Sequence, residues 1–287
     1  MDRDGGRRVG LADMSGPREI IFAAIGDVHA NMHAFVDVVQ GWEQEVGASV
    51  SFVLQTGDFE PHRDEADLQT MAAPAKHKQV GSFPEFVSGQ AAFPWPVYFI
   101  GGNHEPYGFL DQHPDGTWIA DNCRYLGRVG TITLEGLRIV FVSGIHREAD
   151  FGSTRPPAER ISKIPNRRFT AITEADIEAA LSFESADILM MHDWPEGIVS
   201  PSDHDFIEQH CRRLRLQQLG NPYGRLLVEL LAPKLVFCGH MHMRYQAELK
   251  ASEGGSARIY CLGRVEQGRD ALAVFRVSSE GQIHEIT

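Results

Sequence analysis

A chain of 287 residues with 43% hydrophobic side chains is long enough for one large or two small domains with a substantial buried core. Its formal charge of −12, from 27 Lys and Arg against 39 Asp and Glu, opposes long non-specific contact with a polyanion, because such binding uses cationic side chains to displace counterions. No apolar run approaches the roughly 20 residues that cross a bilayer, and the start, MDRDGGRRVGLADMSGPR, has no apolar stretch of the kind a secretion signal requires, so a cytoplasmic location is expected. Cys123, Cys211, Cys238 and Cys261 lie far apart without CxxC spacing and read as small buried thiols.

Residues 1–18 are rich in Gly, Arg and Asp without apolar periodicity, and read as a mobile tail before a fold that starts at Glu19. The first apolar run, IIFAAI, ends in Gly26-Asp27-Val28-His29. A helix is predicted over Met32 to Val46, where Phe35, Val38, Val39, Trp42 and Val46 share one face. The run VSFVL leads to Gly57-Asp58, PVYFI to Gly101-Gly102-Asn103-His104-Glu105, and LRIVFV to Ser143-Gly144-Ile145-His146. Residues 147–168 then break the rhythm with three prolines and few large apolar side chains, and read as a long surface loop. Arg147, Arg155, Arg160, Lys163, Arg167 and Arg168 face three acids there, a local excess of +3 that fits either substrate contact or a merely solvated loop.

A second helix is expected from Glu174 to Leu181, with Thr173 as its N-cap. DILMM delivers Met191-His192-Asp193-Trp194-Pro195, a third helix follows Pro222 through Leu231, and KLVFC delivers Gly239-His240-Met241-His242. Strands alternating with helices and hairpin-like pairs predict an α/β fold of mixed sheets covered by helices.

Chemistry resides at the strand ends. Along a strand, residues i and i+2 point the same way, so D-x-H and H-x-H can aim two ligands at one point. A single Gly-Asp or Gly-His pair carries little weight; seven ligand-type residues in order, each closing an apolar run, carry much more. Carboxylate, imidazole and amide oxygen without thiolate suit manganese, iron, zinc or nickel. Glu105 and Asp193, next to such residues, either orient an imidazole or are surface acids. Of the remaining histidines only His146, at the end of a strand, is expected to border the pocket.

The ordered set D-x-H, GD, GNHE, H and GHMH resembles the motifs of the calcineurin-like metallophosphoesterases. The resemblance implies one domain over residues 19–287, a four-layer sandwich of two mixed β-sheets flanked by helices. It implies two divalent metal ions, with Asp27, His29 and His242 holding one, Asn103, His192 and His240 the other, and Asp58 bridging both. His104, unbound to metal, would contact the leaving group or the scissile phosphate. Two ions roughly 3.5–4 Å apart make a bridging hydroxide available near neutral pH and clamp the phosphate during in-line displacement.

Beyond the ligands, GDFEPHRDEADLQTMAAPAKHK, FIGGNHE, LRIVFVSGI, MHDWPEGI and LGNPYGRLLVELLAPKLVFCGHMH are similar to the catalytic domain of the RNA lariat debranching enzymes. That resemblance implies cleavage of 2′,5′-linked or branched nucleic acid, with residues 147–168 as the segment touching RNA. Where those enzymes carry Cys, this chain has Asp27, a harder ligand. It also ends soon after its last sheet, without the C-terminal domain of the eukaryotic enzymes, which implies a smaller RNA-contacting surface. The rival activities are a small-molecule phosphatase or cyclic-nucleotide phosphodiesterase, and a non-catalytic scaffold on the same fold. No obligate protein partner is expected.

Overall fold

The computed structural model describes residues 19–210, 219–250 and 254–286, so the tail expected over 1–18 and Cys211 lie outside the described residues. Among these, the strands are β1 (Ile20–Ile25), β2 (Phe52–Gln55), β3 (Val97–Phe99), β4 (Thr117–Ala120), β5 (Cys123–Tyr125), β6 (Val129–Leu134) and β7 (Leu137–Val142). They continue with β8 (Ile188–Met191), β9 (Leu235–Cys238), β10 (Tyr245–Lys250), β11 (Ser256–Cys261), β12 (Leu272–Val277) and β13 (Ile283–Ile286).

Two mixed sheets result, in the order β13-β12-β1-β2-β3-β5-β4 and β10-β11-β9-β8-β7-β6. In the first, β1, β2, β3 and β5 run parallel, with β4 antiparallel at one edge; at the other, β12 is antiparallel to β1 and β13 is antiparallel to β12. The second has β7, β8, β9 and β11 parallel, with β6 and β10 as antiparallel edges. The parallel centres bring the carboxyl ends of successive strands to one rim, where ligands of open α/β sheets collect.

Alternation along the strands creates the layers. In β1, Phe22 and Ala24 point into the interface between the sheets, while Ile21, Ala23 and Ile25 face a second cluster with Phe35, Val39 and Trp42 of the helix Met32–Val46. In β9, Leu235 and Phe237 enter the inter-sheet core, and Val236 and Cys238 pack with Leu227, Val228 and Leu231 of the helix Pro222–Leu231. Helix, sheet, sheet, helix is therefore the layer order, the α/β architecture expected. Phe22 stacks between Phe52 and Phe275, with ring centroids 5.3 Å away in both cases; truncating such a buried ring costs about 3–5 kcal/mol.

Helix boundaries follow local chemistry. Asn31 caps Met32–Val46 through its side chain, and Gly47 ends it in the left-handed region at φ 70°. Thr173 and Asp176 form a reciprocal capping box on Glu174–Leu181. Asn221 caps the helix whose first residue is Pro222.

The stretch 147–168 is more ordered than a solvated loop. It contains a short helix at Glu148–Phe151 and 3-10 turns at Ala158–Lys163 and Asn166–Thr170, and is pinned by the buried Phe151, Ile161 and Phe169. No helix among the described residues is long and apolar enough to cross a membrane.

Candidate metal centre

The rim where the two sheets meet collects the strand-end residues. Asp27, His29, Asp58 and His242 converge with one ligand atom each, all within 4.8 Å of one another, and Asp58, His192 and His240 form a second such group. Asp58 belongs to both. Asn103 joins the second group, its Oδ1 lying 3.2 Å from His192 Nε2.

The backbone is bent to achieve this. His29 (φ 48°), Asp58 (φ 50°), His240 (φ 71°) and His242 (φ 50°) all adopt the left-handed region that non-glycine residues avoid, and such strain persists where the surrounding structure fixes it for function. Close approach is equally demanding. A Cβ on Gly102 would lie 2.3 Å from Asp58 Oδ1 and 2.7 Å from His192 Nε2, and one on Gly239 would lie 2.2 Å from Asp27 Oδ1.

Each donor is aimed by a specific contact. Asp27 uses Oδ1 to accept from the His240 main-chain N–H at 3.0 Å, which leaves the buried Oδ2 without a hydrogen bond and 3.0 Å from His242 Nε2. Asp58 Oδ1 accepts from the His104 N–H at 2.8 Å. His192 donates from Nδ1 to the Thr56 carbonyl at 2.8 Å, so its Nε2 faces the cluster. His29 donates from Nδ1 to Glu60 Oε1 at 2.7 Å, and its Nε2 lies 2.8 Å from His242 Nε2.

These residues fit a pair of divalent cations. A buried carboxylate oxygen without a hydrogen bond and several imidazole nitrogens pointing at common centres form a donor set that calls for positive charge. The same field acts on the imidazoles. Burial favours neutral His29, yet its bond to Glu60 and the charges of Asp58 and Asp27 outweigh that and hold its pKa up at about 9. For His192, burial is likewise overcome by Asp58 and Asp27, raising it to about 10. His240 goes the other way, to about 4, through burial and then repulsion from His192. Burial alone would push Asp58 up, but His192, His104 and His29 hold it well below the usual carboxylate range.

His104 stands beside these donors. Its ring meets that of His29 edge-on at 5.6 Å, and its Nδ1, buried without a hydrogen bond, is 3.9 Å from Glu60 Oε1.

Glu60 is the residue that sequence reasoning missed. Only 2% exposed, it lies among His29, His104 and His62, with its Oε2 3.6 Å from His62 Nε2. His62 is itself fully buried. The signal was the i, i+2 spacing of Asp58 and Glu60 after a strand.

Glu105 is not a surface acid. It is buried, and its hydrogen bonds go to the main chain: its carboxylate accepts the N–H groups of Phe59, Glu60 and Gly102, clamping the loop that carries Asp58. Burial, then repulsion from Asp58, raises its pKa to about 8. Asp193 accepts from the His146 main-chain N–H and lies 3.9 Å from His240 Nε2; burial lifts it to about 6. The His146 ring instead packs against Phe151 and Tyr223.

A cleft of about 340 Å³ opens beside the donors, lined by His29, Glu60, Lys76, His77, Gln79, His104, His242, Arg264 and Glu266. No residue of the 147–168 stretch lines it. Arg147 and Arg168 both pair with Asp150, and Arg155 pairs with Asp176; Arg160, Lys163 and Arg167 are exposed.

Comparison with known proteins agrees with this geometry. Residues 20–244 match the model of the calcineurin-like phosphoesterases, and the chain belongs to that family. It is similar to the lariat debranching enzyme of Entamoeba histolytica, 32% identical over 249 residues covering 85% of this chain and 68% of that one. The lariat debranching enzyme of Arabidopsis thaliana is 30% identical over 264 residues, covering 89% of this chain and 62% of that enzyme. For that of Danio rerio the values are 32% over 230 residues, 78% and 40%. One crystal structure shares the fold at a TM-score of 0.54 and 11% identity, covering 94% of this chain and 99% of the other.

Proposed function

We propose that this chain is a dinuclear metal-dependent phosphodiesterase whose substrate is a nucleotide or nucleic acid with a 2′,5′ linkage, branched RNA included. The observation that carries the reading is Asp58, one carboxylate common to two converging donor groups. Asp27, His29 and His242 would hold one ion, Asn103, His192 and His240 the other, with Asp58 between them. Two divalent ions bound there would supply Lewis-acid polarisation of a phosphate and a nucleophilic water at neutral pH. Manganese, iron, zinc and nickel suit this donor set.

The protein's own part is positioning and proton delivery. The strained strand ends fix the donors before substrate arrives, so little reorganisation accompanies the reaction. His104 borders the cleft without belonging to either donor group, its Nδ1 3.9 Å from Glu60 Oε1. It is placed to donate a proton to the departing oxygen as the phosphoester bond breaks. Support for the 2′,5′ specificity comes from the similarity to debranching enzymes over most of the chain.

The test compares initial rates on branched RNA, linear 2′,5′ and linear 3′,5′ oligonucleotides, and an aryl phosphodiester, at fixed manganese and salt. The reading predicts preference for the 2′,5′ linkage. Equal rates on the aryl diester and the 2′,5′ substrate, with no gain for branched RNA, would point instead to a small-molecule phosphodiesterase.

A further inference from the structure

The cations that border the cleft are Lys76, on the 3-10 turn Ala75–His77, and Arg264, which follows β11; His77 and Gln79 add further hydrogen-bonding groups. We propose that Lys76 and Arg264 form a subsite for a second phosphate group of the substrate, beyond the scissile ester, so that the cleft selects nucleotides carrying an additional phosphate over isolated diesters. This inference rests on the phosphodiesterase reading above.

Arg264 is fixed relative to the donors by its main chain. It forms a parallel bridge with Asp27, and the neighbouring Val265 N–H donates to the Asp27 carbonyl at 2.9 Å. Its guanidinium meets Glu266 at 3.8 Å with both side chains about half exposed, 50% and 43%. Such a solvated pair contributes little, whereas a phosphate offers the planar guanidinium two oxygens at once. The other acid in the cleft, Glu60, is engaged by His29. Lys76 is exposed, in contrast to Lys78, whose ammonium is tied to the Leu68 carbonyl at 2.7 Å. At about 340 Å³ the cleft reaches the size of small-molecule sites, which start at roughly 300 Å³.

Glu60 and Glu266 balance Lys76 and Arg264 in number, but Glu60 is engaged by His29 and the Glu266 pair is solvated, which leaves both cations available to receive a phosphate beside the metal donors. The second phosphate could be a terminal monophosphate or an internucleotide diester; both present the same anionic oxygens.

The experiment measures Kd by calorimetry for non-hydrolysable 2′,5′-linked probes with manganese present: a dinucleotide, the same dinucleotide with a 5′-phosphate, and a trinucleotide. Wild-type protein is compared with Lys76→Ala, Arg264→Ala, Arg160→Ala and Arg167→Ala. An added phosphate should tighten wild-type binding roughly tenfold, the scale of a charge-assisted contact. That gain should shrink to within about twofold in Lys76→Ala and Arg264→Ala and persist in the other two. Whether the 5′-phosphate or the trinucleotide shows the larger gain identifies the source. No gain in wild type, a gain untouched by Lys76→Ala and Arg264→Ala, or one abolished by Arg160→Ala or Arg167→Ala overturns the subsite. Turnover of the hydrolysable dinucleotide is read separately: a protein that shows the gain but cleaves no diester refutes the phosphodiesterase reading and leaves the subsite standing.

Discussion

The two donor groups that share Asp58 are built in different ways. On the His192 side the ring is fully buried and aimed by a main-chain carbonyl, that of Thr56. On the His29 side the rings are 19% and 37% exposed at His29 and His242, open to the cleft, and aimed by a side chain, Glu60. The buried His192 ring is held by the main chain, even though His240 in the same group is 29% exposed; the His29 ring is held by one buried carboxylate, and both rings of that half face the cleft. The inner half should therefore resist substitutions around it, while the outer half should be tunable.

Removing the shared residue should abolish the distinction altogether. Asp58→Ala is expected to lose both ions and to lower kcat by about 10⁴ or more, since several kcal/mol of charge stabilisation disappears. Metal content by mass spectrometry alongside turnover checks it, and retention of two ions would break the shared-ligand account.

Next in size, His104→Ala should retain both ions yet lose roughly 10³ in kcat, within the range for a proton donor. Loss of metal in that variant would place His104 among the ligands instead.

Glu60→Gln sharpens the contrast most directly. It keeps the shape but removes the charge that aims His29, and should weaken one ion of the two by about 10–100-fold, the range for partners of ligating histidines. Equal weakening of both sites in a metal titration would show that the halves are not independent.

The last effect needs no substitution and concerns pH. His29 and His192, held at about 9 and about 10, carry protons at neutrality that an entering cation must displace. Acid therefore opposes loading. Affinity should rise between pH 6 and 8 by up to about tenfold per unit for each proton displaced, with proton release visible as a buffer-dependent calorimetric enthalpy.

Much of this site could be read from the sequence because each ligand terminates an apolar run whose neighbours in the chain announce the strand. The helix Met32–Val46 was legible from its apolar face, and the helices opening at Glu174 and Pro222 from Thr173 and from the proline itself. The outer strands of both sheets were not located: β4 and β5 are short, and β10 to β13 owe their positions to pairing with neighbours that the local sequence does not announce. Glu60 escaped because its role depends on the left-handed turn after β2 that brings it back under His29. Lys76 and Arg264 lie 188 residues apart (264 − 76), and only tertiary structure places them on one cleft. In the basic stretch 147–168, charge counting could not reveal that Arg147, Arg155 and Arg168 are engaged by Asp150 and Asp176 while Arg160, Lys163 and Arg167 stay exposed.

The decisive measurement is anomalous diffraction from manganese-soaked crystals of the wild-type protein. Two peaks roughly 3.5–4 Å apart, flanking the Asp58 carboxylate, are predicted. A single peak, or two that do not share Asp58, would contradict the dinuclear site.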